Sequence, residues 1–509
     1  MRNKKTTIFF TLFLFLIFIG SAWGGEPVQL RILYINDFHG FAEPYQPAGS
    51  AEKIGGIANL AGEVKRLRME YPTLLLASGD MIQGNPWANL FEGKSTIEVM
   101  NAMEFSAMVL GNHEFDFGRE ILIKRMQEAR FPILAANIQG MPGLKPYVLK
   151  DISGLKVAII GIITEETPTT THPKNVEGLE FSSMLDSTRK VIQELGDRPD
   201  VVIMMSHLGL PFDRRLAESA SGIHVIVGGH THTRVESPIK INETLIVQAW
   251  EHAKVLGKLD LTIQDRKVIR YEGQLVDINP GMPNPDTTVE EIVNRYKNKA
   301  AAILDEIIGE AEVNLSCNGS RSRETNLGNL VADILRQETG ADIALINGGS
   351  LRTDILKGPI RMKDLLSVLP FSNHPVVLRV NGGELKKILE YGLSDLSGTG
   401  GRFPQVSGIR LTYTSNIMDG QIITSFMIGD KMLNSQDWYT LATNDFLAAG
   451  GDGYEIFKKI IVKSEGISPG KGRVIFFDSG KEIRDMVTNY IKGNKKVSAS
   501  VEGRIQKEK

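Results

Sequence analysis

Short apolar runs recur through the first half of the chain, and polar residues follow each run at once. Residues 30–35, 74–76, 108–110, 201–205 and 225–227 are almost entirely aliphatic or aromatic, which is typical of strands buried on both faces of a sheet. The runs therefore predict an α/β domain. Because such domains place their chemistry at the carboxyl ends of strands, the polar residues after the runs are the first candidates for a functional site.

The middle of the chain shows a change of pattern. Proline and glycine concentrate in residues 279–286, and apolar residues then recur with helical spacing over residues 289–307. This combination indicates a break followed by a linker helix. The apolar face of that helix comprises Ile292, Tyr296, Ala300 and Ile303. We predict a first domain over residues 25–280, a linker with its helix over 281–310, and a second domain over 311–509.

Residues 1–24 have the layout of a secretory signal peptide. Three basic residues precede an apolar stretch at residues 8–19, and small residues then allow cleavage after Gly24. The apolar stretch is shorter than the roughly 20 residues that a membrane span needs. We therefore expect cleavage and no stable membrane anchor, with retention as an uncleaved anchor as the alternative.

Charge and cysteine content narrow the class further. Without the three basic residues of the signal, 55 Lys and Arg face 60 Asp and Glu, a net charge of −5, so the protein is not built to hold polymeric nucleic acid by charge. Cys317 is the only cysteine, which excludes an intramolecular disulfide. An exported protein without disulfides suits a bacterial periplasm or exterior.

The polar residues that follow the apolar runs form five short motifs. They are Asp37-x-His39, Gly79-Asp80, Gly111-Asn112-His113-Glu114, Ser206-His207 and Gly229-His230-Thr231-His232. Five of the nine histidines of the chain fall inside them. Histidine, carboxylate and amide side chains together are typical metal ligands, so the motifs predict a metal site at the strand ends.

The number of ligands suits two divalent cations. Two cations roughly 3.5–4 Å apart can share and acidify a water molecule and neutralise a transferring phosphoryl group. We assign Asp80 as the bridging ligand, with zinc or manganese as the expected ions. One ion would take Asp37, His39 and His232, and the other Asn112, His207 and His230.

His113 is interpreted differently from its neighbour Asn112. Adjacent residues at a strand end point in different directions, so His113 can face the scissile bond and protonate the leaving oxygen or stabilise its charge. Asp116 lies three residues further on and can orient the imidazole. The alternative is that Asp116 only caps the helix that begins near Gly118.

The five motifs, in this order, closely resemble those of the calcineurin-like metallophosphoesterases. The second half of the chain has weaker signals of its own, at residues 327–330, 344–352, 369–373, 402–408 and 444–453. Taken together, these segments resemble the C-terminal domain of the 5′-nucleotidases. In that family, this domain follows the metallophosphoesterase domain across a helical linker.

The resemblance implies both fold and site. It implies a four-layer α/β/β/α sandwich, a linker helix and an α+β C-terminal domain, with a nucleotide pocket between the two domains. Arg352 matches an arginine that contacts phosphate, Phe403 and Phe446 match two rings that sandwich the base, and Asp452 matches a carboxylate that binds the ribose hydroxyls. Asn347 and Asn373 match polar residues of the same pocket.

The implied reaction is hydrolysis of nucleoside 5′-monophosphates by a metal-bridging hydroxide. A 2′,3′-cyclic nucleotide phosphodiesterase or 3′-nucleotidase, a nucleotide-sugar hydrolase and, from another class, a non-catalytic nucleotide-binding protein remain as alternatives. Two departures bear on the choice. Gly348 and Gly383 stand where some members of the family carry phosphate-binding arginines, and His232 stands where some carry Gln or Asn.

Overall fold

The structure, a computed structural model, describes residues 26–46, 52–394, 400–414, 422–462, 473–478 and 480–508. The predicted signal peptide of residues 1–24 lies outside these ranges. Within them, no helix is both long enough and apolar enough to cross a membrane.

The first half of the chain is built from alternating strands and helices. The strands are β1 Val28–Ile35, β2 Thr73–Ser78, β3 Ala107–Val109, β4 Ile133–Leu134, β5 Ile138–Gln139, β6 Tyr147–Ile152, β7 Leu155–Ile163, β8 Glu180–Phe181, β9 Val201–His207, β10 Val225–Val227, β11 Ile239–Ile241, β12 Thr244–Val247, β13 Val255–Gln264 and β14 Lys267–Asp277. The helices are α1 Ile57–Arg68, α2 Pro86–Asn89, α3 Lys94–Ala102, α4 Arg119–Glu128, α5 Thr167–Thr170, α6 Met184–Leu195, α7 Leu210–Ser219 and α8 Thr287–Leu304.

Two six-stranded sheets form the centre of the first domain, in the orders β14-β13-β1-β2-β3-β4 and β11-β12-β10-β9-β7-β6. The five apolar runs of the sequence all lie in these sheets, as β1, β2, β3, β9 and β10. Strands β1, β2 and β3 pair in parallel, as do β9 and β10. Their carboxyl ends therefore meet at one edge of the sandwich.

Side chains alternate between the two faces of each sheet, as strand geometry requires. Ile32 and Tyr34 of β1 face the apolar layer between the two sheets, whereas Leu33 and Ile35 face an outer layer with the helices. The second sheet has a comparable outer layer that includes α6 and α7. The predicted four-layer α/β/β/α sandwich is confirmed.

Helix α8 corresponds to the predicted linker helix. Asp286 accepts a hydrogen bond from the backbone N–H of Val289 (2.9 Å) and so caps its start. Ile292 and Tyr296 are buried in the core of the first domain, as the helical spacing predicted. Ile303, on the same apolar face, is 53% exposed in the last turn of the helix.

The second half of the chain is an α+β unit. Its strands are β15 Ile307–Ala311, β16 Ile343–Asn347, β17 Gly358–Arg361, β18 Pro375–Asn381, β19 Pro404–Ser407, β20 Ile409–Tyr413, β21 Ile423–Ile428, β22 Lys431–Met432, β23 Trp438–Asn444, β24 Val474–Phe477, β25 Lys496–Val497 and β26 Ile505–Lys507. Its helices are α9 Asn326–Thr339, α10 Met362–Val368, α11 Gly382–Leu393, α12 Asp445–Ala448, α13 Glu455–Val462 and α14 Ile483–Asn494. A mixed sheet in the order β19-β16-β23-β18-β24 separates two apolar clusters.

Candidate active site

The predicted metal ligands stand at the carboxyl ends of the central strands or in the segments that follow them. Five of the seven adopt left-handed backbone angles, with φ between 48° and 74°: Asp37, His39, Asp80, His230 and His232. This conformation is unfavourable for residues with a side chain and is concentrated at functional sites. The surrounding loops therefore hold these residues in an energetically unfavourable backbone conformation.

The first group of ligands combines Asp37, His39 and His232, whose ligand atoms all lie within 4.8 Å of one another. Nε2 of His232 lies 3.2 Å from Oδ1 of Asp37 and 3.3 Å from Nε2 of His39. Burial lowers the pKa of the His232 imidazole, but the carboxylates of Asp37 and Glu251 together outweigh it and raise that pKa to about 9. The negative charge that stabilises a proton on this ring would also stabilise a bound metal cation.

The second group combines Asp80, His207 and His230 at the same spacing. Nε2 of His207 lies 3.1 Å from Oδ2 of Asp80, and the same carboxylate oxygen lies 3.9 Å from Nε2 of His39 in the first group. Burial opposes ionisation of Asp80, but the imidazoles of His207 and His113 hold the pKa of its carboxyl well below its usual value. Asp80 thus belongs to the second group and also lies close to a ligand of the first.

An unpartnered oxygen tests whether these residues fit a metal ion. Oδ1 of Asn112 is buried and has no hydrogen-bond partner in the described part of the chain. A buried amide oxygen without a partner is costly, and ligation to a cation would remove that cost. The donor set of imidazole nitrogens, carboxylates and one amide oxygen suits zinc or manganese.

Hydrogen bonds behind the ligands determine which ring nitrogen faces the site. Nδ1 of His39 donates to the carbonyl of Gln83 (2.8 Å), and Nδ1 of His207 donates to the carbonyl of Ser78 (2.7 Å). A carbonyl can only accept, so these bonds place the proton on Nδ1. Nε2 of each ring is therefore left to face a metal, the usual arrangement of histidine ligands.

Glycine is required where the loops approach one another. A Cβ on Gly79 would lie 2.3 Å from Nδ1 of His207, and one on Gly111 would lie 2.2 Å from Oδ1 of Asp80. Both distances are far shorter than a non-bonded contact allows. The glycines in the Gly-Asp and Gly-Asn-His motifs are thus needed for the ligands to converge.

His113 lies beside the ligands and on the wall of a cavity. Its Nδ1 lies 2.6 Å from Oδ2 of Asp116, and Thr171 donates a hydrogen bond to the other oxygen of that carboxylate (2.7 Å). Burial lowers the pKa of the His113 imidazole, but the carboxylates of Asp116 and Asp80 outweigh it, and the pKa is raised above its usual value. The predicted contact between His113 and Asp116 is present.

Glu114 is a residue whose role the sequence did not indicate, although it stands inside the Gly-Asn-His-Glu motif. Its buried carboxylate accepts hydrogen bonds from four backbone N–H groups, those of Asp80, Met81, Ile82 and Gly111, at 2.6–3.2 Å. Glu114 therefore joins the loop after β2 to the loop after β3. Both loops carry predicted metal ligands.

A cavity of about 1010 Å³ extends from the ligand groups into the second domain. Asp37, His39 and His207 are buried. The first domain contributes Asp80, Asn112, His113, Asp116, His230 and His232 to the wall, and the second contributes Arg352, Asn347, Asn373, Phe446 and Asp452. Both halves of the chain thus contribute to one cavity.

Two polar contacts organise the part of the cavity in the second domain. Nδ2 of Asn347 donates to Oδ2 of Asp452 (2.6 Å), and Nδ2 of Asn444 donates to the side-chain oxygen of Asn347 (3.2 Å). Burial raises the pKa of the Asp452 carboxyl to about 6. Asn347 therefore orients this carboxylate.

Phe403 does not stand where the prediction requires. Its ring is 0% exposed and packs in an apolar cluster of the second domain, so in this structure it cannot stack on a base. Phe446 is half-buried and lines the cavity. The Arg-Phe-Pro segment predicted an aromatic ring near the pocket, but packing against the core decided which way the ring points.

Phe371 and Arg321 also line the cavity, although the sequence argument assigned them no role. The ring of Phe371 stacks against that of His113, with centroids 5.7 Å apart, and the guanidinium carbon of Arg352 lies 5.8 Å from its centroid. Burial and the nearby Arg352 lower the pKa of Arg321 to about 10. Gly348 and Gly383 stand where some family members carry phosphate-binding arginines, and Arg321 supplies a second arginine to the cavity from another position. Arg321 lies in a segment without a recognisable motif, so no sequence pattern indicated it.

Comparison with known proteins agrees with this description. The family profile for calcineurin-like phosphoesterase matches residues 30–234, and that for the 5′-nucleotidase C-terminal domain matches residues 307–459. The 5′-nucleotidase of Diplobatis ommata is 30% identical, over 94% of this chain and 90% of that protein. A crystal structure of a 5′-nucleotidase precursor from Thermus thermophilus superimposes with a TM-score of 0.86 at 31% identity, over 94% of this chain and 99% of that one.

A longer relative is also similar. The trifunctional nucleotide phosphoesterase protein YfkN of Bacillus subtilis is 31% identical over 94% of this chain, which spans 35% of the length of that protein.

The fold and the site define a metallophosphoesterase, a hydrolase with two candidate divalent-metal groups and a second domain that completes its cavity. The chain belongs to the 5′-nucleotidase family.

Proposed function

We propose that this enzyme hydrolyses nucleoside 5′-monophosphates to nucleoside and inorganic phosphate. The observation that carries the proposal is a single cavity whose wall joins both metal-ligand groups to arginine, aromatic and carboxylate side chains of the other domain. Those three side-chain types correspond to the three parts of a nucleotide: phosphate, base and ribose.

The residues of the first domain would perform the chemistry. Two divalent cations, when bound, supply Lewis acidity and an acidified water molecule. Asp80 would be shared between the two ligand groups, since it lies close to both. His113, whose Nδ1 is engaged with Asp116, would use Nε2 to protonate the leaving oxygen. Its raised pKa favours the protonated form that this step requires.

The residues of the second domain would bind the substrate. Arg352 and Arg321 face the same cavity and would bind phosphate oxygens, for which the planar guanidinium is suited. Phe446 would stack on the base, and Asp452, oriented by Asn347, would accept hydrogen bonds from the ribose hydroxyls. Asn373 would contribute to the same wall.

The test is a substrate screen with protein reconstituted with Mn²⁺ or Zn²⁺. Nucleoside monophosphates should be turned over with the highest kcat/KM, with release of phosphate and nucleoside. Loss of activity after chelation, and its return after metal addition, should accompany this preference. A protein that binds nucleotides but shows no metal-dependent turnover would contradict the proposal.

A broader phosphoesterase activity is the second candidate. It is favoured by the likeness to YfkN, whose name describes a trifunctional nucleotide phosphoesterase. The same screen, extended to 2′,3′-cyclic nucleotides, 3′-nucleotides and nucleotide sugars, separates the two. Comparable kcat/KM values across these classes would favour the broader activity.

We further propose that the enzyme is exported, since residues 1–24 have the pattern of a signal peptide. Expression in a bacterial host should yield a secreted or periplasmic product that begins at Gly25. A product that stays in the cytoplasm with residues 1–24 attached would contradict this expectation.

A further inference from the structure

Glu251 lies behind one of the predicted metal ligands, in the loop that joins β12 to β13. One of its carboxylate oxygens accepts a hydrogen bond from Nδ1 of His232, and the other accepts one from Nζ of Lys254. Nδ1 of His39 and Nδ1 of His207 instead donate to backbone carbonyls. Of these three ligands, His232 is the one whose ring is held by a side chain.

The loop that carries Glu251 is fastened to the end of β1, where Asp37 stands. Asn36 accepts a hydrogen bond from the backbone N–H of Ala249 (2.7 Å) and donates one to the carbonyl of Trp250 (2.5 Å). The backbone N–H of His252 donates to the carbonyl of Asp37 (2.8 Å). These three bonds fix the position of the loop relative to another ligand of the same group.

Lys254 holds the far side of the Glu251 carboxylate. Its side chain is only 9% exposed, and its ammonium group lies 4.1 Å from the centroid of the Trp250 ring. A buried ammonium group needs an anionic partner, and Glu251 provides it. The carboxylate is thereby held between Lys254 and His232 and has little freedom to turn away.

We propose that Glu251 is a positioning residue for metal binding: it holds the His232 ring with Nε2 toward Asp37 and His39, and so sets the affinity of that ligand group for its divalent cation. The inference rests on the proposed two-metal function. Histidine ligands generally depend on such a partner at the second ring nitrogen. A backbone carbonyl cannot be changed by substitution, but this partner can.

The experiment measures metal retention and not turnover. Purified wild-type protein, Glu251→Ala, Glu251→Gln and the control Glu236→Gln are loaded with Mn²⁺, and bound metal is measured across a series of chelator concentrations. Glu236 is an exposed glutamate in an ion pair with Arg234, so it matches the chemical change without contact to a ligand.

Glu251→Ala should weaken one of the two bound ions by about 10- to 100-fold, the usual effect of losing such a partner, and leave the other ion unchanged. Glu251→Gln should lose less, because its amide oxygen still accepts the bond from Nδ1. Glu236→Gln should behave as wild type. In a His232→Gln background, Glu251→Ala should have little further effect, because the two residues act as one unit.

Either of two results for the Glu251→Ala variant would overturn the inference. Retention of both ions by Glu251→Ala at wild-type affinity would show that His232 needs no partner. Equal weakening of both ions together with a lowered melting temperature of the metal-free protein would show that Glu251 only supports the fold. A wild-type protein that binds fewer than two ions would instead overturn the two-metal proposal itself, and with it this inference.

Discussion

At the scale of single residues, the histidines of the site differ in what their Nδ1 atoms contact. His39 and His207 donate from Nδ1 to backbone carbonyls, whereas His232 and His113 have the carboxylates of Glu251 and Asp116 as partners. A carboxylate partner therefore does not by itself separate a ligand from a proton donor. The positions of the rings indicate the roles, because His232 lies in a ligand group with Asp37 and His39 and His113 lies beside the groups on the cavity wall.

Replacement of His113 by Asn should separate these roles. We expect metal content close to that of the wild type and a kcat about 10²- to 10⁴-fold lower, the usual range for loss of an acid–base group. The loss should be smaller for an aryl phosphate than for AMP, because a good leaving group needs less protonation. Metal analysis and kcat on both substrates provide the measurement, and a variant that loses metal would reassign His113 as a ligand.

The two phenylalanines should respond differently to truncation. Phe446→Ala should lower kcat/KM for AMP by about 5- to 150-fold, equivalent to the roughly 1–3 kcal/mol of a lost stacking contact, and change hydrolysis of an aryl phosphate little. Phe403→Ala should lower the free energy of unfolding by about 3–5 kcal/mol, with similar losses on both substrates. A loss confined to AMP in the Phe403 variant would show that its ring reaches the base during turnover.

The pH dependence of substrate choice should report Asp452. Burial raises the pKa of this carboxyl to about 6, so it is ionised above that pH and protonated below it. An ionised carboxylate is the stronger acceptor for ribose hydroxyls. The ratio of kcat/KM for AMP to kcat/KM for an aryl phosphate should therefore fall as the pH is lowered through about 6.

Taking this ratio cancels the titration of groups that act equally on both substrates, and the Asp452→Asn variant identifies the part that Asp452 contributes. Asp452→Asn should show a lower ratio that stays constant while the pH is varied on either side of the wild-type pKa. A wild-type ratio that is equally constant across this range would exclude ionised Asp452 from ribose recognition.

At the scale of elements, the site depends on how neighbouring loops are joined. The carboxylate of Glu114 accepts four backbone hydrogen bonds from the loops after β2 and β3. Burial and the nearby Asp80 raise the pKa of this carboxyl to about 7. Glu114 and Asp80 are buried close together, so the hydrogen bonds that join the loops form despite repulsion between two carboxylates.

Glu114→Gln should weaken this junction, because an amide has one acceptor oxygen in place of two and its NH₂ group would oppose backbone donors. We expect the free energy of unfolding of the first domain to fall by about 1–3 kcal/mol for a donor left without a partner, together with weaker metal binding. Urea unfolding and metal titration provide the measurement. Glu120→Gln, an exposed position in the first turn of α4, is the control, and equal behaviour of the two variants would contradict the assigned role.

At the scale of the whole molecule, the ligands come from both sheets of the sandwich. Asp37 and Asp80 follow strands of one sheet, whereas His207 ends a strand of the other and His230 follows one. A cation bound between them would therefore join the sheets at their open edge. Its binding energy would add to the stability of the folded state.

Metal addition should accordingly raise the melting temperature. At a free ion concentration about a thousandfold above Kd, one ion adds about 4 kcal/mol to the free energy of unfolding. Calorimetry with Mn²⁺ and after chelation measures this difference. Asp80→Asn should abolish most of the shift and nearly all turnover, since it removes the carboxylate shared by both groups, and an undiminished shift in this variant would argue against the bridging role.

The sequence by itself determined the α/β class of the first domain and the members of its candidate metal groups, whereas the four-layer sandwich was implied by the resemblance of its motifs. Apolar runs such as 201–205 must be buried whatever the surroundings, and the residue after a buried parallel strand must emerge at its carboxyl end. The positions of Asp80 and His207 follow from that local rule, which is why short motifs sufficed to place them. The glycines beside them are also part of these local motifs, because only glycine permits the close approach of these loops.

Tertiary structure alone decided which side chains support the ligands and which reach the cavity. Glu251 contacts His232, nineteen residues away, and Arg321 reaches the cavity wall without a motif, because such contacts depend on how separate loops are folded back together. Phe403 stands in a segment whose resemblance predicted a pocket residue, yet its ring is buried in the core. Side-chain direction in an irregular segment is set by packing against distant residues, and no local pattern in the sequence records it.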